Sequence, residues 1–492
     1  MKEERSSAER VEAWGQAPDR NFSIGRLPVR IAIIAEVFLP KVDGVVNRTL
    51  NLIRQLVRCN DEVLLLCPQG EGCQDCAVRV VPVPSFALPV YPEYRIGLPG
   101  SWLVDELEQF RPDVLHYMNP FAFGFRCYDL LCKSSLRVPS VFSFHTLYAE
   151  FVKRYKLLWP LSRILWWMTR EYHNRADMNM TVSSATQQEL MRRGFQRMRL
   201  WPPAVDADLF HPGRKSAAMR ARLAGADDDD PVLVTVSRLA PEKNVEFLAG
   251  VLDRLPKARL AVVGDGPYRG ELERRFAGKK ARFVGYLKGV ALAEAYASAD
   301  AFVYASETET MGNVILEASA CGCPVVAPRA GGISSLVSEG QTGLLYMPGD
   351  LDDAVRATRT VLEDRAVRSR LAQSARCVVE SWNWENAIGS VRQVYLDTIR
   401  EFDGNGEKLT LSQRAAQAVA SSLVWGFRSM SKNGKHGRDG SEAHRMDYRQ
   451  PVTNYAAARE LTARSEHSLP ESEQGVWPDP ELECLAPENS MR

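Results

Sequence analysis

The chain has 492 residues, 45% of them hydrophobic, with 62 lysines and arginines against 61 aspartates and glutamates. At roughly 150 residues per domain this length implies two or three domains, and the globular composition excludes a wholly disordered, collagen-like or disulfide-scaffold chain. A formal net charge of +1 supplies no global field for nucleic acid, so none is expected as a partner.

In chain order, residues 1–28 read as a polar arm. Glu3, Glu4, Glu9 and Glu12 stand there without an apolar core, unlike a secretory signal or a transit peptide. From Val29 short apolar runs alternate with helical patterns: Arg30–Ala35, Glu62–Cys67, Asp113–Tyr117, Ser140–Phe144 and Met178–Val182. Between the first two, Leu52, Ile53 and Leu56 fall on one helix face. Such alternation predicts βαβ units and a parallel sheet covered by helices, here over residues 29–205. The rhythm breaks at Asp206–Pro231, whose Asp227–Asp230 run reads as an acidic linker rather than a metal site. It restarts with Val232–Ser237, Arg259–Val263, Arg282–Val284, Ala301–Tyr304 and Val325–Ala327, predicting a second domain over 206–380. The α/β class is therefore two Rossmann-like, doubly wound domains facing a cleft. Residues 381–402 predict one more helix after the Ser381-Trp-Asn-Trp384 break. Residues 403–492 turn polar and read as a mostly disordered tail. Its exception is the stripe Leu411, Ala415, Val419, Leu423, Phe427 and Met430, a helix expected to pack on the domain.

No run reaches the ~18 apolar residues of a membrane span; Leu157–Met168 is short and carries Arg163. The ten cysteines are scattered, and the one CxxC, Cys73 and Cys76, lacks a second pair. They read as structural thiols of a reducing compartment, with no metal expected.

The chemistry gathers at strand ends. Phe38-Leu-Pro-Lys-Val-Asp-Gly44 precedes a helix, where Gly44 would let backbone approach a phosphate or sugar; taken alone it reads as structural. Ser237-Arg-Leu-Ala-Pro-Glu-Lys243 puts Arg238 and Lys243 at a strand's carboxyl end, suited to a diphosphate. Gly264 and Gly266 make a tight turn after the next strand, and Gly285 ends the one after it. Glu309 lies in a loop entering a helix and Glu317 about two turns along, a pair able to accept the hydroxyls of one elongated ligand.

With these motifs the stretch from Arg30 to about Tyr395 resembles the retaining, nucleotide-sugar-dependent glycosyltransferases of family 4, with the two-Rossmann GT-B fold. The Glu-x7-Glu signature, Glu309 and Glu317, carries the resemblance together with Arg238 and Lys243. The resemblance implies that Arg238 and Lys243 bind the donor diphosphate in place of a metal. It implies that Glu309 and the following Met311, Gly312 and Asn313 contact the transferred sugar, and that Glu317 holds the ribose. His145, ending the strand Ser140–Phe144, matches the family's histidine near the reacting centre, and the helix around Ser381–Thr398 matches one that crosses back to the first domain. Within the family, Phe38-Leu-Pro-Lys-Val-Asp-Gly44, Leu88-Pro-Val-Tyr-Pro92, Ala261-Val-Val-Gly-Asp-Gly-Pro-Tyr268 and Ala295-Tyr-Ala-Ser298 resemble plant and cyanobacterial sulfoquinovosyltransferases of sulfolipid synthesis. These phrases are partly shared with GDP-mannose-dependent lipid mannosyltransferases. A non-catalytic nucleotide-sugar-binding protein is the reading from another class.

The implied reaction moves sulfoquinovose from UDP-sulfoquinovose to diacylglycerol, with no cofactor beyond the UDP-sugar donor itself. A sulfonate is a permanent anion, and Arg48, one helical turn after Gly44, is the candidate cation; an ordinary solvated arginine is the other reading of that position. A lipid acceptor implies contact with a membrane surface. Phe151-Val-Lys-Arg-Tyr-Lys-Leu-Leu-Trp159 and Ile164-Leu-Trp-Trp167 interleave aromatics with Lys153, Arg154, Lys156 and Arg163, as an interfacial surface would. The expected location is peripheral to a membrane, on its cytoplasmic face or on a plastid membrane.

Overall fold

The computed structural model describes residues 28–39, 43–68, 78–88, 91–153, 160–225, 230–403 and 409–433. The first sheet takes its strands from β1 (Arg30–Ala35), β2 (Glu62–Pro68), β3 (Arg79–Val83), β6 (Val114–Met118), β7 (Ser140–Phe144), β8 (Met178–Thr181) and β9 (Met198–Leu200). Their order is β3-β2-β1-β6-β7-β8-β9, every pairing parallel, with Ile31 opposite both Val63 and Val114. Helices cover both faces, so β6 and β7 are buried along their whole length and are mostly apolar; His116, Ser140 and Ser143 are buried polar exceptions within them. An antiparallel hairpin, β4 (Ser85–Leu88) with β5 (Tyr91–Gly97), stands apart.

The second sheet holds β10 (Val232–Val236), β11 (Arg259–Val263), β12 (Ala281–Gly285), β13 (Ala301–Val303), β14 (Val325–Pro328) and β15 (Leu344–Tyr346) in the order β12-β11-β10-β13-β14-β15, again parallel. The strands without a sequence signal are β3, β9, β15 and the hairpin. β3, β9 and β15 lie at sheet edges; β3 tolerates Pro82 there because one side of an edge strand needs no ladder bond.

The helix Gly44–Arg58 starts where Asp43 accepts hydrogen bonds from the Val45 and Val46 amides, both 2.9 Å, and buries Leu52, Ile53 and Leu56 on the first sheet. The helix Trp384–Glu401 follows the second sheet in sequence but packs on the first. Its Ile388, Val391 and Tyr395 share one core with Ile31, Ile33 and Met180. Arg392 clamps Asp61 through Nε and Nη2 at 2.8 and 2.9 Å, an ion pair almost wholly removed from water.

The tail helix runs Leu411–Asn433 and docks on the first domain. The expected stripe is displaced: Ala416, Ala420 and Val424 are the buried line, while Leu411 is 85% exposed. Small residues let this helix approach closely, so the wider stripe of large apolar residues only flanks the contact. The aromatic pair also needs correction. Trp166 is core, stacked near Phe144 and donating from Nε1 to Glu150 at 3.0 Å, and Trp167 donates to Ser412 of the tail helix at 3.1 Å. Trp166 therefore presents no interfacial ring, and Trp167 is half-buried beside the tail helix. Arg154, Lys156 and the CxxC lie outside the described residues. Among the described residues no helix is long and apolar enough to cross a membrane.

Candidate active site

In an open parallel sheet a crevice forms where the strand order reverses, outside the carboxyl ends of the two strands that part company. The first sheet reverses between β1 and β6, the second between β10 and β13. The sequence-predicted residues lie on the loops leaving these strands and their neighbours, or, as Gly44, Arg48, Asn313 and Glu317 do, in the helices that follow.

On the first side, Glu36 follows β1 and is wholly buried. Its carboxyl accepts the amides of Phe121, Ala122, Phe123 and Gly124 at 2.9–3.1 Å, ordering the start of the helix Ala122–Leu131. Burial raises its pKa above the ordinary value, and the four amides only partly offset this. Asn119 ends β6 in the left-handed region at φ 54, where its side chain accepts the His145 amide at 3.1 Å and donates to Thr146 and Tyr148. His145 is buried, edge-on to Trp201 with ring centroids 5.3 Å apart. Burial first, then the Arg48 charge, holds its imidazole well below the usual histidine range, so the ring is neutral.

On the second side three loops form one ledge. The Leu239 amide bonds the Asp265 carbonyl, the Tyr268 amide the Leu239 carbonyl, and the Gly264 amide the Gly285 carbonyl, all at 2.9–3.0 Å. A Cβ at Gly264 would stand 1.9 Å from the Ser237 carbonyl oxygen, and one at Gly266 would stand 2.3 Å from that of Leu239. Loop-to-loop packing therefore requires both glycines before any ligand enters. Gly285, at φ 84, has open space where a side chain would be.

Lys243 bonds and pairs with Glu309, and Tyr304 donates to the same carboxyl oxygen at 2.7 Å. Burial pushes the Glu309 carboxyl up, but the Lys243 charge and the bonds from Lys243, Tyr304 and Ser306 together outweigh it, so its pKa is lowered. Arg238 pairs with the buried Glu242 one turn on. Glu317 is placed differently. It accepts the Tyr296 hydroxyl at 3.0 Å, and burial raises its pKa to about 7. The Glu309 loop rests on a glycine pair that the motif reading missed. A Cβ at Gly331 would meet the Glu309 carbonyl at 2.4 Å and one at Gly332 that of Thr310 at 2.1 Å. The signal was there: two adjacent glycines just past a strand end. Tyr304 and Tyr296 orient the two glutamates; Tyr296 stands in the phrase Ala295-Tyr-Ala-Ser298, but neither tyrosine was singled out as a site residue.

The two sides meet. Thr310 donates from Oγ1 to the His145 carbonyl at 2.6 Å and accepts from Thr186 at 3.2 Å. A Cβ on Gly44 would stand 3.0 Å from the side-chain Nδ2 of Asn313, so the first residues of two helices, one from each domain, face each other. Arg48 reaches across to the Met311 sulfur, donates from Nη2 to the Pro202 carbonyl at 2.6 Å, and lies 4.8 and 5.7 Å from the rings of Trp201 and Trp384. It is 2% exposed, and among the described residues neither its Nε nor the buried Trp201 Nε1 beside it has a hydrogen-bond partner. No carboxylate pairs with it among the described residues, and burial draws its pKa down to about 9. Trp201, Pro202 and Trp384 were invisible as site residues, because three separate segments build this box. Among the described residues no group of three or more His, Cys, Asp or Glu is arranged to hold a metal ion. Asp230, the described member of the acidic run, pairs with Lys280 and Arg259.

Two doubly wound domains with opposed switch points, and a helix returning from the second to the first, define the GT-B class of glycosyltransferases. The chain belongs to that class: the Glycosyltransferase Family 4 model matches residues 42–209 and the Glycosyl transferases group 1 model residues 221–378. It is 38% identical to sulfoquinovosyl transferase SQD2 of Arabidopsis thaliana over 74% of this chain and 73% of that one. It is also 38% identical to a GDP-mannose-dependent alpha-mannosyltransferase of Mycolicibacterium smegmatis over 72% of this chain and 94% of that protein. Anabaena Alr3699/HepE, solved with UDP and glucose, shares the fold at a TM-score of 0.60 and 20% identity, covering 74% of this chain and 99% of its own.

Proposed function

We propose that this glycosyltransferase transfers sulfoquinovose from UDP-sulfoquinovose to diacylglycerol, with retention at the anomeric carbon, without a metal, at a membrane surface. The observation that carries the reading is Arg48, a buried cation with no carboxylate partner among the described residues, in contact with Met311 and close to His145. An unpaired buried charge is costly, and an anionic substituent on the sugar would relieve it. The relation to SQD2, a sulfoquinovosyl transferase by name, supports the same donor. In this reading Arg238 and Lys243 take the diphosphate, Glu309 and the Met311–Asn313 backbone the sugar, and Glu317 the ribose. Gly44 and the ledge of Gly264, Gly266 and Gly285 bring main chain close to the donor.

A mannosyltransferase is the second reading, favoured by a relative of equal identity that this chain covers almost completely. The test is a donor screen of UDP-sulfoquinovose, UDP-glucose and GDP-mannose with diacylglycerol vesicles, with and without EDTA, reading lipid products and their anomeric configuration. The expected result is sulfoquinovosyl product of α configuration in EDTA. Arg48→Met, of similar length, should cost sulfoquinovose transfer ~2–5 kcal/mol and affect a neutral sugar much less. Turnover of GDP-mannose alone, or equal losses with both sugars, would refute the sulfoquinovose reading.

A further inference from the structure

A chain of hydrogen bonds runs under the site from the crossing helix. The Tyr395 hydroxyl lies 2.6 Å from His116 Nδ1, His116 Nε2 lies 2.9 Å from Ser143 Oγ, and Ser143 Oγ lies 2.9 Å from His145 Nε2. Tyr395, His116 and Ser143 are wholly buried, and His145 nearly so. The four side chains come from three elements: the helix Trp384–Glu401, β6, and β7 with the residue after it.

We propose that Tyr395, acting through His116 and Ser143, decides which ring nitrogen of His145 carries the proton. The direction follows from counting donors. Tyr395 has no partner but His116 among the described residues, so its buried proton is satisfied only by donation to His116 Nδ1. His116 then carries its proton on Nε2 and donates to Ser143. Ser143 has one proton to give, and His145 Nε2 at 2.9 Å is nearer than the Tyr117 carbonyl at 3.4 Å or the Met118 sulfur at 3.3 Å. His145 Nε2 is thereby an acceptor, and the ring's single proton sits on Nδ1, which has no partner among the described residues.

Burial keeps all members neutral: it lowers His116 to about 3, draws His145 well below 6.5, and raises Tyr395 well above 10. His145 therefore offers an N–H to a bound oxygen and is not poised as a base. Tyr395, His116 and Ser143 are positioning residues. The same helix places Trp384 against Arg48, so one element that begins after the second domain supports two side chains of the first domain's site. The inference rests on glycosyl transfer in this cleft and on no particular sugar.

The experiment labels the full chain with 15N-histidine and reads tautomers from two-bond 1H–15N correlation spectra, with the His145 signal assigned by its loss in His145→Gln. Wild type should show the Nδ1–H form. Tyr395→Phe, which removes only the hydroxyl, should shift His145 toward Nε2–H. It should also lower kcat roughly five- to twentyfold while donor KM stays within about twofold, with whichever nucleotide sugar the wild type turns over. Val391→Ala, a packing change on the same helix, should leave the tautomer in place. Should Tyr395→Phe not fold, Ser143→Ala breaks the chain one member later and is read the same way. A wild-type Nε2–H signal, or a variant lacking the Tyr395 or Ser143 hydroxyl that keeps Nδ1–H, overturns the inference. An enzyme that rejects UDP-sulfoquinovose leaves these spectra unchanged, so the donor reading can fail separately.

Discussion

Glu309 and Glu317 sit eight positions apart in sequence and are driven in opposite directions by their surroundings. Lys243 holds Glu309 ionised, whereas Glu317, half-buried with only the Tyr296 hydroxyl for a side-chain partner among the described residues, is raised to about 7. In the proposed role of Glu317 at the ribose of a UDP donor, a carboxylate accepts the hydroxyls best when ionised, so UDP affinity should rise with pH by roughly tenfold between pH 6 and 8, following the ionised fraction of a group with a pKa near 7. Calorimetric titration at the two pH values checks this, with Glu317→Gln as the reference that removes the nucleotide's own titration. A slope unchanged by that variant would take Glu317 out of the nucleotide site. Stability runs the other way. The native carboxyl binds its proton more tightly than the unfolded one, whose ordinary value is 4.5, so its contribution is full below that pH and is lost as pH rises through about 7. The loss is at most ~3 kcal/mol for a half-buried side chain.

The crossing helix shows how one element is held far from its neighbours in sequence. Its apolar face enters the first domain's core, and Arg392 and Asp61 add a buried bidentate pair in which Asp61 also accepts the Val29 amide at 3.0 Å. Arg392→Ala should cost ~3–5 kcal/mol in chemical denaturation, because it leaves Asp61 charged and dry. The double change Asp61→Leu with Arg392→Met should cost much less. Equal costs would mean that the pair contributes through its attraction rather than through the penalty of breaking it. The repeating Ile388, Val391 and Tyr395 were legible as a helix from their 3.6-residue period. The surface they cover came only from the family resemblance, since periodicity shows that a face is apolar and not which sheet it meets. The tail helix makes the same point, because its alanine line does not stand out among larger apolar residues.

For the whole molecule the decisive contact is the seam between the two sheets. Thr310 donates to the His145 carbonyl, and Ser335 lies 3.1 Å from both the Ser184 hydroxyl and the Ala185 amide. Thr310→Val keeps the shape and removes one bond worth ~1 kcal/mol, so donor KM should rise about fivefold with melting temperature little changed. An unaltered KM would mean the seam does not close on the donor. The sequence by itself determined the α/β class, ten of the parallel strands, and the loops at whose ends the chemistry lies, because strands buried on both faces are mostly apolar and tight turns favour glycine. Only the tertiary structure decided the rest. It boxed Arg48 between Trp201 and Trp384, tied Glu309 to Tyr304 and the Gly331–Gly332 pair, and joined Tyr395 to His145. Those contacts join residues far apart in the chain, and a burial pattern records that a side chain is covered without recording what covers it.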